Sequence, residues 1–416
     1  MRTNRKDLAL VALLGALLFL PGLGSRDLWN PDEARYAEVA REMRQEGSYA
    51  VPRLNGQVYT QKPPLLFWLI ILSSFLTGGV GEVSARIPSA LAAIGTMIVV
   101  FRLGERLFNR RAAWIAVAAF ATCFKILWQG RFGQIDMLLT FLVALGVWFW
   151  VRGYTEDRPG LYPLFFVATG LATLAKGPAG FLPPLLSIVA FLLITKDREQ
   201  LRKMRIGIGL LIWAAVVLAW LIPAGLSGGR EYLDQIVFKQ NVTRYADPWH
   251  HFQPPYYYLT VIPAEFFPWS FLLPTAFMVR GERKSWLFAV CWMVVTVVFF
   301  SISPAKRTVY ILTMYPAMAL LVGSALDRIA AEWPRWRRWA VVPLAILAVF
   351  AVLITVALPI AGRGREEAAP LGGDQFVWQV TLAFLPLAAG ALYAWWQSRG
   401  GRIPRAAAGL AAGMGT

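Results

Sequence analysis

Long apolar runs recur along almost the whole chain, and they constrain the fold more than any other feature. A helix that crosses a bilayer needs roughly 17–25 predominantly apolar residues. About twelve runs approach or meet this requirement, and none of the intervening stretches resembles a soluble domain. The runs are 8–24, 84–104, 112–128, 137–152, 161–176, 178–195, 206–226, 256–279, 286–302, 308–326, 339–361 and 376–396. The sequence therefore predicts an all-α integral membrane protein, a polytopic helix bundle.

The composition and charge agree with this class. Of the 416 residues, 57% are hydrophobic and 16% are charged, whereas about 25% are charged in soluble domains. The net charge of +17 is explained by basic cytoplasmic loops and contact with anionic membrane lipids, so no nucleic-acid partner is expected. The chain has two histidines, His250 and His251, which excludes a His-rich metal site. Cys123 and Cys291 lie inside apolar runs and are expected to be buried.

One apolar run, 65–77, is too short for an ordinary span. If it does not cross the membrane, every loop on one side carries at least two Lys or Arg residues, as cytoplasmic loops do. We therefore predict a juxtamembrane or re-entrant helix at 65–77 and place both termini in the cytoplasm. The basic and apolar N-terminus is then a retained first helix rather than a cleaved signal.

This topology predicts one transmembrane domain over 1–396 with two large outer loops. The loops are 25–83 and 225–258, and in a bacterial inner membrane they face the periplasm. Long loops in compact proteins are usually functional. The tail at 397–416 is expected to be cytoplasmic and without fixed structure.

The segment "PDEARYAEVAREMRQEG" in the first outer loop has the signals of a helix. Asn30 is expected as its N-cap, with Pro31 as the first helical residue and Gly47 beyond its end. Its apolar positions recur at helical spacing between charges, which is typical of a helix lying on a membrane surface.

Three carboxylates are candidate catalytic groups. Asp32 and Glu33 open that surface helix, and Asp136 opens an apolar run on the same outer side. The plain alternative is that all three are first-turn acids favoured by the helix dipole. However, a carboxylate at the mouth of a membrane bundle is costly and usually functional. Carboxylates from two helix starts can orient and deprotonate an acceptor group.

Cations and tyrosines on the outer side suit a phosphate-bearing substrate. Taken singly, the cations can be explained by contact with lipid headgroups, and the tyrosines by the interfacial aromatic belt. The candidates are Lys62 between Gln61 and two prolines, Arg244, Lys306 beside Arg307, Tyr36, Tyr59 and Tyr310. In "LAKGPAGFLPP", Lys176 and the following Gly-Pro predict a helix break. No nucleotide-binding or redox motif is present, so no such cofactor is expected.

Several motifs together resemble one family. They include "WNPDEARYAEVAREM", "VPRLNGQVYTQKPPLLFW", "RFGQIDMLLTF", "LAKGPAGFLPP" and "AKRTVYILTMYPAMALL". In this order they resemble the bacterial GT-C glycosyltransferases of the aminoarabinose-transferase and protein O-mannosyltransferase type. The resemblance implies a GT-C helix bundle with juxtamembrane helices in the first outer loop.

The resemblance also implies roles for individual residues. Asp32 matches the family's first-loop catalytic carboxylate, and Asp136 matches the second. Lys62 and Arg244 match residues that bind the lipid phosphate, and Tyr36, Tyr59 and Tyr310 match family tyrosines. Some members hold a divalent metal with a Glu and a His, but Gln61 and Lys239 stand at those positions here. We therefore assign no metal ligands.

The expected function is transfer of a sugar from a polyprenyl-phosphate donor to a lipid, glycan or protein acceptor at the periplasmic face, with inversion. The alternative is a transporter or flippase of a lipid-linked sugar or phosphate. A transporter favours ionisable residues near the membrane midplane and inverted repeats, whereas here the candidates gather at one face. A non-catalytic scaffold would leave that gathering unexplained.

Overall fold

The computed structural model describes residues 4–243, 252–362 and 373–415, and side chains within 4–239, 252–357 and 381–415. The α-helices are α1 Arg5–Phe19, α2 Asp32–Glu46, α3 Leu65–Thr77, α4 Glu82–Leu107, α5 Arg110–Ala121, α6 Phe124–Gln129, α7 Ile135–Thr155, α8 Tyr162–Lys176, α9 Leu182–Ile194, α10 Arg198–Lys203, α11 Ile206–Leu233, α12 Tyr257–Glu265, α13 Thr275–Met278, α14 Arg283–Ile302, α15 Tyr315–Ala331, α16 Trp333–Trp336, α17 Arg338–Gly362, α18 Gly373–Arg399 and α19 Ile403–Gly415.

Shorter elements connect these helices. Four 3₁₀ turns occupy Pro159–Leu161, Pro178–Gly180, Trp269–Phe271 and Thr308–Met314, and a π-helical stretch covers Asp234–Thr243. Two antiparallel strands, β1 Arg53–Leu54 and β2 Gln57–Val58, pair with Arg53 opposite Val58. The all-α class predicted from the apolar runs is confirmed.

Six helical segments in the described residues are long and apolar enough to cross a membrane, and a bent pair makes a seventh. The six are Glu82–Leu107, Ile135–Thr155, Ile206–Lys239, Arg283–Ile302, Thr308–Ala331 and Arg338–Ala357, and the bent pair joins Tyr257–Glu265 to Trp269–Met278. The polytopic character is therefore clear, while the count of twelve crossings stays a prediction. Leu65–Thr77 is a short apolar helix, as expected.

Helix α15 forms the centre of the bundle and is almost entirely buried. It packs against α5 and α14, and α4 packs against α1, α5 and α7. Much of α11 lies at the periphery and leaves its apolar side chains exposed, as suits a surface that contacts lipid.

The start of α2 differs by one residue from the prediction. The helix begins at Asp32, with Pro31 in the cap position and no side-chain cap, so the prediction of Asn30 as N-cap is wrong. Instead, the Glu33 carboxylate reaches back and accepts the backbone N–H of Trp29 at 2.9 Å. This bond ties the turn before the helix to the first helical turn. The helix ends at Glu46, and Gly47 follows it as predicted, with a φ of +67°.

A hairpin follows α2 that the apolar pattern did not predict. Asn55 and Gly56 connect its two strands with positive φ values of 53° and 74°. An Asn-Gly pair favours this tight turn because both residues tolerate left-handed backbone. The hairpin returns the chain towards α2, where the Glu42 carboxylate accepts the N–H groups of Asn55 and Gly56.

The predicted break after Lys176 is present. Helix α8 ends at Lys176, and Gly177 has a φ of +81° before the 3₁₀ turn begins. A Cβ on Gly180 would approach the backbone of Ala172 within 2.5 Å, so the chain folds back closely on α8.

The tail expected to lack fixed structure is helical instead. Helix α19 buries Ile403, Ala406, Ala407 and Leu410 and packs against α18, α5 and α15. Small residues explain the difference, because a Cβ on Gly413 would lie 2.5 Å from the Pro386 carbonyl oxygen of α18. Glycine and alanine allow two membrane helices to approach this closely.

Candidate active site

Asp32, the first residue of α2, is buried among polar groups. Its Oδ2 accepts a hydrogen bond from Gln134 Nε2 at 2.6 Å and another from Arg307 Nη2 at 3.2 Å. The Gln134 amide is itself oriented, because Gln129 Nε2 donates to Gln134 Oε1 at 2.6 Å. Three separate parts of the chain thus converge on this carboxylate.

Asp136, in the first turn of α7, pairs with Lys176 at the end of α8. The Lys176 ammonium contacts Asp136 Oδ1 and also lies 4.6 Å from the centre of the Tyr310 ring. Both charged side chains are largely buried. The break at Lys176 therefore does more than redirect the chain, because it delivers a cation to the second carboxylate.

Arg307 stands close to both carboxylates. Burial alone would lower its pKa, but the charges of Asp32 and Asp136 outweigh burial and raise it. Its guanidinium is therefore a permanent cation between two anions. The two ion pairs, Asp32 with Arg307 and Asp136 with Lys176, are near enough for both carboxylates to act on Arg307, and together they form one charged cluster.

The candidate tyrosines lie around this cluster. Burial raises the pKa of the Tyr36 phenol well above its ordinary value, and the charges of Asp32 and Asp136 add to the effect. Tyr36 thus remains a neutral hydroxyl near both carboxylates. The rings of Tyr36 and Tyr59 both contact Phe67. Their centroids lie 5.9 Å and 6.0 Å, respectively, from the centroid of the Phe67 ring. Tyr310 joins through its contact with Lys176.

Glu33 lies on the other side of the α2 start, where it is completely buried. Arg86 donates to both its oxygens at 2.9 Å, and Arg26 donates to Oε2 at 2.9 Å. The N–H of Gly133 adds a bond of 2.6 Å. Burial alone would raise the pKa of Glu33, but these donors outweigh it and lower the pKa. This environment favours an anchoring role over the catalytic role first considered.

Lys306 is also turned away from the carboxylates. Its ammonium donates to the carbonyl oxygens of Gln253 at 2.9 Å and Ser303 at 2.7 Å, and the side chain is buried. Burial lowers its pKa. The neighbouring Arg307 takes the position in the site that was proposed for Lys306.

The remaining phosphate-binding candidates come from the first and third outer segments. Lys62 is half-buried between β2 and α3, and Arg244 lies outside the described residues. The two segments meet where Thr60 Oγ1 donates to Gln235 Oε1 at 3.0 Å. This contact brings the π-helical stretch that leads towards Arg244 next to the turn that carries Lys62.

A metal centre of the kind implied by the family resemblance does not fit these residues. Gln61 offers a neutral amide oxygen that already accepts from Arg35 at 3.5 Å, and Lys239 offers a cation in place of an imidazole. No group of three His, Cys, Asp or Glu side chains lies close enough together, in the described residues, to hold a metal ion.

The sequence points to three members of the site only weakly or not at all: it gives Gln134 no role, indicates a helix break at Lys176, and places Arg307 beside the favoured Lys306. The signals were weak, because each lies close in the chain to a residue or turn that explains it locally. A stronger signal existed for Lys176, since a lysine that ends an apolar helix on the side depleted of cations requires a partner.

Comparison with known proteins gives consistent matches. Residues 61–222 match the family profile described as dolichyl-phosphate-mannose-protein mannosyltransferase. The undecaprenyl phosphate-alpha-4-amino-4-deoxy-L-arabinose arabinosyl transferase of Pectobacterium carotovorum subsp. carotovorum is 31% identical over 332 residues, 77% of this chain and 59% of that protein. The Shewanella sediminis protein of the same name is 30% identical over 326 residues, 76% of this chain and 59% of that protein. The chain thus spans about three fifths of the length of these curated relatives.

A solved structure extends the match to nearly the whole chain. ArnT from Cupriavidus metallidurans, bound to undecaprenyl phosphate, is 27% identical and superposes with a TM-score of 0.85, covering 99% of this chain and 75% of that one. The Archaeoglobus fulgidus oligosaccharyltransferase, 15% identical with a TM-score of 0.53 over 82% of this chain and 50% of that one, shares the fold alone. By sequence the chain is therefore similar to these transferases, and by fold it is a polytopic membrane helix bundle of the GT-C type.

Proposed function

We propose that the protein is a membrane glycosyltransferase that moves a sugar from a polyprenyl-phosphate donor to an acceptor on the periplasmic side. The observation that carries this proposal is the cluster of Asp32, Arg307, Asp136 and Lys176. It combines a carboxylate able to take a proton with cations able to neutralise a phosphate. The names of the relatives support the donor, because they specify undecaprenyl phosphate sugars.

In the proposed reaction, an oxygen of the acceptor attacks the anomeric carbon of the donor sugar. The bond between that carbon and the phosphate oxygen breaks on the opposite face, so the configuration inverts and polyprenyl phosphate leaves. Asp32 orients the acceptor and takes its proton, and Asp136 supports the arrangement of cations around it. No oxidant, reductant or nucleotide takes part.

The cations act on the leaving group. Lys62 and Arg244 are proposed to hold the lipid phosphate, as the family resemblance implies. Arg307, which stands near both carboxylates, is proposed as a third cation for this phosphate. Neutralising the charge on the departing phosphate lowers the barrier, because fixed cations in a site shielded from water need little reorganisation. Tyr36, Tyr59 and Tyr310 supply hydroxyls and ring faces to the same space.

A substitution of Asp32 tests this proposal. A strain that lacks the gene is complemented with the wild type, Asp32→Asn or Glu38→Gln. Mass spectrometry then measures the polyprenyl-phosphate sugars and envelope glycans. We expect Asp32→Asn to accumulate unused donor as the deletion strain does. Glu38→Gln is the matched control, because Glu38 lies on the same helix and pairs only with Arg41 among the described residues.

Two results separate the proposal from the alternatives. Purified Asp32→Asn should still bind undecaprenyl phosphate, since the cations remain. Full complementation by Asp32→Asn would overturn the proposal and favour a transporter that binds the lipid phosphate without chemistry. The glycosylated product that is missing from the deletion strain identifies the acceptor class as lipid, glycan or protein.

A further inference from the structure

Another buried ion pair lies beside the candidate active site and has no part in the proposed chemistry. Lys125 on α6 donates to Glu265 Oε1 at 2.7 Å, where Glu265 is the last residue of α12. Their side chains are only 10% and 13% exposed. An ion pair removed from water gives up most of its hydration, so it is seldom a source of stability alone. In a membrane protein such charges usually serve function.

The pair holds the segment that begins directly after Arg307. The Lys125 ammonium donates a second hydrogen bond to Thr308 Oγ1 at 2.8 Å. The other oxygen of Glu265 accepts from the hydroxyl of Tyr315 at 3.1 Å. Thr308 and Tyr315 are the first residues of the 3₁₀ turn and of α15. Both ends of that turn are therefore tied to one ion pair.

The backbone around Arg307 is held from the same side. The hydroxyl of Tyr258, on α12, donates to the Arg307 carbonyl oxygen at 3.3 Å. The N–H of Phe124, next to Lys125, donates to the Phe267 carbonyl at 2.9 Å and joins α6 to the chain after α12. These contacts leave the Arg307 side chain as the part of the segment that reaches Asp32.

We propose that Lys125 and Glu265 are positioning residues, which place the Arg307 guanidinium where it meets both Asp32 and the phosphate of the donor. This inference rests on the proposed function, because it assigns Arg307 to the lipid phosphate. The pair acts through Thr308 and Tyr315, and neither Lys125 nor Glu265 touches the substrate. A cation held on a rigid segment binds phosphate more tightly than one on a mobile loop, because less ordering remains to be done.

The test measures the dissociation constant of undecaprenyl phosphate for the purified full-length protein in detergent. We expect Lys125→Met and Arg307→Gln each to weaken binding by roughly 10- to 100-fold, the range for a lost charge-assisted hydrogen bond. The double variant should bind no more weakly than Arg307→Gln, because the first residue acts through the second. Lys125→Arg, which keeps the charge, should recover most of the affinity.

Arg111→Met provides a matched control. Arg111 pairs with Asp327 towards the end of α15 opposite to Tyr315, so this change removes an ion pair from the helix that follows the 3₁₀ turn, far from Arg307. It should lower the melting temperature and leave the dissociation constant unchanged. If Lys125→Met folds poorly, Glu265→Gln and the exchange of Lys125→Glu with Glu265→Lys test the same pair. The exchanged pair should bind better than either single variant.

Specific outcomes would overturn the inference. One is an unchanged affinity for undecaprenyl phosphate in folded Lys125→Met or Glu265→Gln. The other is a double variant whose loss of affinity equals the product of the losses in Lys125→Met and Arg307→Gln. Unchanged affinity in Arg307→Gln would also overturn the inference about Lys125 and Glu265. The proposed function would still stand in that case, provided that Asp32→Asn fails to complement the deletion strain. Full complementation by Asp32→Asn, in contrast, would overturn the proposed function itself.

Discussion

Adjacent residues of like charge serve different purposes in this site. Asp32 faces Gln134 and Arg307, whereas Glu33 faces Arg86 and the opposite side of α2. Successive residues of a helix point about 100° apart, so the first turn can offer one carboxylate to the site and bury the next. Glu33 then holds the start of the helix, and the position of Asp32 depends on that anchor.

Glu33→Gln should destabilise the protein by roughly 3–5 kcal/mol, because it leaves buried arginine charge without its partner. The effect should depend on pH. Since the folded-state pKa of Glu33 lies below its ordinary value, its carboxylate stabilises the fold above about pH 4.5 and loses this effect as the pH falls through the folded-state pKa. Thermal unfolding of both forms between about pH 7 and about pH 3 measures the difference.

The difference in melting temperature between the wild type and Glu33→Gln should therefore become smaller in acid. Glu38→Gln serves as the control, with a melting temperature close to that of the wild type because the Glu38–Arg41 pair is exposed. A melting-temperature difference of constant size down to about pH 3, well below the ordinary pKa of a glutamate, would show that the charge of Glu33 is not what the anchor requires.

The same residues show how far sequence reasoning reaches. The cap signals of α2 are local, so the helix and the outward placement of Asp32 could be predicted. The pairing of Asp32 with Arg307 spans 275 residues, and local patterns carry no information on such contacts. Whether Lys306 or Arg307 faces the site depends on the direction of the short non-helical segment that precedes the 3₁₀ turn, which composition does not specify.

At the scale of elements, α5 is held closely between two helices through their glycines. A Cβ on Gly104 of α4 would lie 2.7 Å from Ala113 Cα, and one on Gly323 of α15 would lie 2.5 Å from the Ala112 carbonyl oxygen. Backbone atoms at these distances cannot be moved by rotating a side chain. The separation of the central helices therefore depends on the absence of side chains at these positions.

Gly323→Ala should lower stability by about 1–3 kcal/mol, because the added methyl group forces α15 away from α5. Gly207→Ala is the control, since a Cβ at Gly207 meets nothing within 4 Å and alanine favours the helix. Melting temperatures of the two purified variants test the difference. Equal stabilities would mean that the bundle relaxes around the new methyl group.

At the scale of the whole molecule, the helix ends carrying Asp32, Asp136 and Lys176 meet at one end of the bundle. The apolar runs could predict that these residues share a side of the membrane. Successive loops lie on alternate sides, and the loops rich in Lys and Arg mark the cytoplasmic side. The apolar runs could not predict α19, whose Gly and Ala residues resemble a flexible tail until a partner helix is known. To predict the site one must know which helices pack next to each other, and only the complete fold gives this information.

Cysteine labelling in intact cells tests the proposed orientation. Gln57→Cys, in the hairpin, should react with a membrane-impermeant maleimide from outside. Glu199→Cys, on α10, should react only after the membrane is opened. Both positions are exposed, and the native Cys123 and Cys291 are buried, so the background should be low. Labelling of Glu199→Cys in intact cells would reverse the proposed topology.

The two oxygens of Asp32 are chemically inequivalent in this fold. Oδ2 accepts both Gln134 and Arg307, while Oδ1 accepts none of the hydrogen bonds within the described residues. Two donors on one oxygen fix the rotation of the carboxylate plane, so the direction of the lone pairs on the other oxygen is set before a substrate arrives. In the proposed reaction, Gln134 would therefore set the geometry of proton transfer as much as Asp32, through an amide that itself takes no proton.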